Sequence, residues 1–200
     1  MRSSIQGEIM AEPDALSIQY TDHPKVTELI DVITFCTEGI SFEFKRWDEP
    51  YVQGPGLYFV IVAGTSIESF ADPMGENQWP IEICQSVTES EDAFFEAAQD
   101  AAMERDGAVV VTVDGYIQKQ MVRLKDLGSD DISSDINLES IEYDDWMGAR
   151  HMSALDTSAR EEVVATVTLS EESGRVTVFQ DTEYESYTRD TIGGEWRYSE

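Results

Sequence analysis

Three short stretches carry residue types that can do chemistry with an anionic ligand. The first, RDGAVVV (105–111), joins a helix-like segment to a strand-like one. Gly107 and Ala108 have almost no side chain, so a flat ring or a phosphate can approach the backbone there, with Asp106 at the edge of that approach. The second, MGARHMSAL (147–155), sets Arg150 and His151 just after Gly148, at what reads as the first turn of a helix. Free backbone N–H groups and the helix dipole favour an anion at such a turn, and a guanidinium adds a forked donor suited to phosphate. A cation opposes the dipole at that end of a helix, so its presence there points to an anion. The third, LSEESGRVTV (169–178), places Ser170 beside Glu171 and Glu172 at a strand end. A hydroxyl can hydrogen-bond a ligand, and a carboxylate can hold a divalent ion or read an amino group. Singly, each stretch has a plainer reading: a helix-terminal glycine, an arginine paired with an acid beside a carbonyl-bonded histidine, and a solvated hairpin turn.

Together and in this order, the three stretches resemble the diadenylate cyclase (DAC, DisA N-terminal-like) domain family. That family carries an Asp-Gly-Ala motif, a Gly-Thr-Arg-His-Arg segment at a helix start and a following Ser-Glu-Glu segment. The resemblance covers residues 88–182, with Leu124 of MVRL where the family has a leucine whose backbone contacts adenine. It implies a mixed β-sheet flanked by helices, and a nucleotidyltransferase that condenses two ATP into cyclic di-AMP with loss of two pyrophosphates. Two protomers would face each other, the 3′-hydroxyl of each ATP attacking the α-phosphate of the other. By the same resemblance Asp106 sits near that hydroxyl and a divalent metal, Mg²⁺ or Mn²⁺. Gly107, Ala108, Leu124 and Gly148 shape the nucleotide site, and Arg150 and His151 contact phosphates. Ser170, Glu171 and Glu172 supply phosphate, base or metal contacts, Glu172 being the second metal candidate. The chain departs from the pattern at Ala149 and Met152, where the family has threonine and its second arginine. Arg123, Lys119 and Arg175 are the cations that could restore the missing charge in space. The departures also leave room for a DAC-like domain that binds ATP or cyclic di-AMP as a sensor without turnover.

The elements that must position these residues are legible as patterns. Residues 22–39 read as a helix, with Asp22 as cap, Pro24 in the first turn, and Val26, Leu29, Ile30 and Ile33 at helical spacing. Gly39 is its expected stop. ISFEFKRW (40–47) alternates and predicts a half-wet strand, and LYFVIVAG (57–64) a buried one. Residues 70–83 are rich in turn formers and predict irregular structure. Thr88 or Ser90 caps a helix over 91–106, whose Phe94, Ala97, Ala98, Ala101 and Ala102 form one apolar face. Residues 107–124 predict two strands about an Asp-Gly turn, a hairpin. Residues 126–142 predict a loop with a short helical piece, 148–161 a helix, and 163–170 and 175–181 strands about a turn. The whole predicts an α/β (α+β) fold: a mixed sheet with helices on both faces. It divides into a flank over 1–87, possessing a helix and strands that can join the sheet, the DAC-like unit over 88–182, and a peripheral tail over 183–200.

Composition narrows the setting. The 200 residues suffice for one substantial core, and 41 acids face 13 bases for a formal charge of −28. The bases are 9 Arg and only 4 Lys. Acids spread evenly through otherwise regular patterns are the habit of proteins from halophilic archaea, where salt screens repulsion; at 1 M the Debye length is about 3 Å. No basic stripe exists to neutralise duplex phosphates, so nucleic acid is not an expected partner. No apolar run approaches the ~20 residues of a membrane span, and the N-terminus lacks an apolar signal core. A cytoplasmic protein is the expectation. Cys36 and Cys84, far apart in apolar settings, read as reduced core thiols without zinc spacing.

Overall fold

The longest apolar run, LYFVIV, becomes β1 (Leu57–Val62), and every one of its residues is buried. Such a strand must lie inside a sheet covered on both faces. A computed structural model, which describes Tyr20 and residues 23–64, 66–128 and 141–193, places it there. β1 pairs in parallel with β3 (Val109–Thr112) and antiparallel with β5 (Val163–Leu169). β6 (Val176–Gln180) and β7 (Glu183–Tyr187) continue the sheet in the order β3-β1-β5-β6-β7. The mixed sheet with helices on both faces is thus as the sequence predicts. β1 lies at its interior although it comes from the N-terminal flank.

Alternation along β1 divides the core. Leu57, Phe59 and Ile61 face α1 (Pro24–Glu43) and α2 (Glu91–Glu104); Tyr58, Val60 and Val62 face α3 (Ala149–Ser158). Ser90 caps α2 by accepting from the Ala93 N–H, and the predicted apolar face of Phe94, Ala97, Ala98, Ala101 and Ala102 is buried. Among the described residues, no helix is long and apolar enough to cross a membrane.

Several local expectations give way to tertiary packing. Helix α1 starts from His23, whose Nδ1 accepts from the Lys25 N–H at 3.3 Å; Asp22, the expected cap, lies outside the described residues. Gly39 does not stop it. A Cβ there would meet the Phe95 ring at 2.9 Å, so this glycine admits α2 against α1. Ile40 and Ser41 are buried in the last turn, and the Ser41 hydroxyl donates to the Gly174 carbonyl at 2.6 Å. Ile40–Glu43 is therefore helix, not the start of a strand. Residues 71–78, expected to be irregular, form β2 (Ala71–Gln78), which pairs antiparallel with β4 (Gln120–Leu124) in a second sheet. Pro73 marks where that register breaks, as suits an exposed two-stranded ribbon.

The predicted hairpin is begun and then abandoned. Gly115 takes φ +86° and the Thr112 N–H donates to the Tyr116 carbonyl, but β4 takes β2 as its partner and returns to β3's side only in isolated bridges. Helix α3 closes at Ser158, earlier than predicted, where the Ser158 hydroxyl accepts from the Thr182 N–H. Residues 183–187, expected to be peripheral, pair with β6 as an edge strand, whose exposed side requires few apolar residues. The short helical piece expected within 126–142 falls largely on 129–140, outside the described residues.

Candidate functional site

The C-terminal end of α2 delivers the first motif. Arg105 caps the helix and the chain turns through Asp106-Gly107-Ala108 into β3. Gly107 has φ +96°, and a Cβ there would meet the Val122 carbonyl and Met74 at 3.0 Å. Only glycine fits both the angle and the space. Asp106 Oδ1 accepts from the Gly107 N–H at 2.8 Å, and Asn77 Oδ1 accepts from the Asp106 N–H at 3.2 Å. Ala108 is pinned to β4 by reciprocal bonds with Val122 of 2.7 and 2.9 Å. This places Leu124, at the end of β4, beside the same opening.

Helix α3 delivers the second motif. Gly148 is its N-cap and makes no side-chain cap bond, and the first turn holds no acidic residue. Its free amides therefore have no anionic partner in the helix itself. Arg150 reaches across to the end of β5: Nη1 donates to the Leu169 carbonyl at 3.3 Å and Nη2 to Glu171 Oε2 at 3.2 Å. A Cβ at Gly56 would strike its guanidinium at 2.7 Å, so the β1 entry loop has been cleared to seat it. His151 is only 5% exposed and packs edge-on to Trp146, centroids 5.0 Å apart. Burial first, then the charges of Arg150 and Arg175, push its pKa down to about 4. It is consequently a neutral imidazole near pH 7, not the second cation that the motif suggests. Its buried Nε2 has no hydrogen-bond partner among the described residues.

The third motif is a tight turn. The Ser170 N–H donates to the Arg175 carbonyl, the Gly174 N–H to the Ser170 carbonyl, and the Ser173 N–H to Ser170 Oγ. Gly174 has φ +70°, and a Cβ would run into Ser41 Oγ and Trp47 at 2.8 Å. The last turn of α1 therefore holds the shape of this loop from beneath, while Glu171 is half-buried and Glu172 exposed above it.

The three motifs meet in one cleft of about 640 Å³. Asp106, Gly107, Ala108, Leu124, Gly148, Arg150, His151, Ser170, Glu171 and Glu172 all line it. So do residues not singled out in the sequence: Tyr58, Trp146 and Ser153 among them. Tyr58 is the one aromatic hydroxyl in the run LYFVIV and lies beside Ser153 and Thr157, with burial raising its pKa. Trp146 stands two residues before Gly148, close enough to the motif to have been a signal. Of the three cations proposed as substitutes, Arg123 and Arg175 line the cleft and Lys119 does not. Met152 is 37% exposed and is not part of the lining.

Among the described residues no three His, Cys, Asp or Glu side chains are grouped to hold a metal ion. Asp106, Glu171 and Glu172 share the cleft wall without forming a closed cage. Magnesium is usually held by one or two carboxylates together with substrate phosphates, so this donor set fits an ion completed by its substrate.

No family model matches the chain, and no curated protein matches it. Among solved structures it is similar to a hypothetical membrane spanning protein from Bacillus cereus, at 18% identity and a TM-score of 0.51. That similarity covers 80% of this chain and 64% of the other, so this chain spans under two thirds of its length. It is also similar to a double mutant of DacA from Staphylococcus aureus, at 17% identity and a TM-score of 0.45, over 85% of this chain and 96% of that one. The mixed α/β fold is shared; identities this low speak to fold alone.

Proposed function

We propose that the protein is a diadenylate cyclase, condensing two ATP into cyclic di-AMP and two pyrophosphates. The observation that carries this reading is the convergence of Asp106-Gly107-Ala108, Gly148-Ala149-Arg150-His151 and Ser170-Glu171-Glu172 on one cleft. These stretches are far apart in sequence, and a cleft of this size suits one nucleotide. In the proposed reaction the 3′-hydroxyl oxygen of one ATP forms a bond to the α-phosphorus of the other. The bond from that phosphorus to the bridging oxygen of pyrophosphate breaks, and the hydroxyl proton leaves to a nearby carboxylate, a role we assign to Asp106. A second such step closes the ring, which requires two protomers to bring their clefts face to face. Positioning and charge stabilisation supply most of the rate in phosphoryl transfer. Asp106 and Glu172 would hold a divalent ion together with the phosphates, and such an ion would neutralise charge that a −28 chain cannot attract by its net field.

The pairing of Arg150 with Glu171, together with Met152 outside the cleft, favours a second reading: a domain that binds ATP or cyclic di-AMP without turnover. One experiment separates them. The full chain is incubated with ATP and Mn²⁺ or Mg²⁺ in molar KCl and products are read by mass spectrometry. A cyclic di-AMP peak that disappears in Asp106→Asn supports the cyclase. Nucleotide binding with no product supports the sensor, and absence of binding removes both.

A further inference from the structure

We infer that, of the three cations that could restore the charge missing at Met152, Arg175 supplies the phosphate-binding guanidinium; this rests on the nucleotide reading of the cleft. The cations around the site are not equivalent. Arg150 already spends two donors on the Leu169 carbonyl and the Glu171 carboxylate. Arg123 is largely solvent-exposed and lies 3.6 Å from Asp72, so it belongs to the rim. His151 is neutral and Met152 lies outside the lining.

Arg175 differs in each respect. It lines the cleft and is half-buried, and it directly precedes β6, so the sheet fixes its backbone. Its guanidinium carbon lies 4.3 Å from the centroid of the Trp146 ring. Nη1 donates to Ser186 Oγ at 3.1 Å, and that hydroxyl is in turn 3.1 Å from Thr177 Oγ1. Edge strand β7 thus orients a side chain on the cleft wall. Arg46, Arg105, Arg123, Arg150 and Arg189 each pair with a carboxylate; Arg175 has no carboxylate partner among the described residues. Stacking on an aromatic face steadies a guanidinium without neutralising it and leaves its N–H edges free for a planar or tetrahedral oxyanion. Trp146 packs in turn against His151, centroids 5.0 Å apart, so Arg175 stands on the ring that borders the helix start.

The test uses the full chain in molar KCl, with ATP, adenosine and inorganic tripolyphosphate as titrants in calorimetry. Arg175→Gln is expected to weaken ATP by roughly tenfold or more, the worth of a charge-assisted hydrogen bond, and to leave adenosine unchanged. Arg175→Lys should fall between, keeping charge but losing the stacked fork. A structural role would move ATP and adenosine alike, and that result overturns the inference. Equal ATP affinity in wild type and Arg175→Gln also overturns it while leaving the nucleotide reading intact. If wild type ignores ATP yet binds tripolyphosphate through Arg175, the nucleotide reading fails and the anion role stands. If wild type binds neither, both fail. Should Arg175→Gln not fold, the ratio of ATP to adenosine affinity in Arg175→Lys decides: a fall supports the role and no change overturns it.

Discussion

On one face of the central sheet, α1 and α2 cover a dry core in which Phe59, Trp79 and Phe94 pack ring to ring at 5.7 to 6.0 Å, and the Trp79 indole N–H is satisfied by the Cys84 carbonyl. On the other face, α3 buries Leu155 and Ala154 but its first turn opens on a cleft. The second face also has rings, Trp146, His151, Phe179 and Tyr184, yet they gather at the margin of the opening. There the local rules are broken together: a helix start with no side-chain cap bond and, among the described residues, a buried imidazole nitrogen without a partner and Arg175 without a carboxylate. Stability forgone at the opening, against a well-packed aromatic core on the opposite face, is the pattern expected where a ligand completes the structure.

Four measurements sharpen or break that contrast. Phe94→Ala should cost about 3–5 kcal/mol in urea unfolding, since the ring is fully buried, while ATP affinity per folded molecule stays at the wild-type value. A loss of affinity there would mean the faces are not independent. On the cleft side, His151 has its pKa depressed to about 4 from 6.5, so as pH falls the unfolded chain takes up the proton first. Its contribution is intact above about pH 6.5 and is lost as pH drops toward 4, roughly 3 kcal/mol in all. His151→Gln should flatten that stretch of the stability profile relative to wild type; parallel profiles would contradict the buried neutral imidazole. Asp106→Asn retains the oxygen that accepts from Gly107 and should leave the thermal midpoint unchanged, while on the proposed cyclase reading cyclic di-AMP formation drops about a hundredfold or more. The smallest effect is expected from Met152→Arg, within about twofold in product formation, because the side chain lies outside the cleft lining. A large gain would relocate the phosphate site to the outer side of α3.

The site was more legible than the elements around it. Motif glycines and charged groups announce themselves by type, and those of the three motifs line one cleft, whereas Lys119, named as a substitute cation, does not. What could not be read was which donors were already spent. Nothing near Arg150 in sequence shows that Leu169 and Glu171 hold it, and nothing at Arg175 shows that Trp146 and Ser186 orient it. The elements misread were those whose reasons are distant. Ile40 and Ser41 remain helical because the 170–174 turn, far along the chain, packs on them. β2 exists only because β4 declines its hairpin partner, and residues rich in turn formers give no hint of that exchange. Among the described residues β7 has one neighbour, so its sequence need not alternate strongly.

The position of β1 has a consequence for synthesis. Its register joins Leu57 to Leu169 and Val62 to Val163, so its antiparallel partner is translated roughly a hundred residues later. At ribosomal speeds of about 5–20 residues per second, LYFVIV waits for several seconds with one side of its backbone unpaired. An apolar, β-prone hexamer in that condition is a template for wrong pairing with neighbouring nascent chains. Asp48, Glu49, Glu68 and Asp72 flank it, and such charges disfavour the stacking of like chains where salt does not screen them.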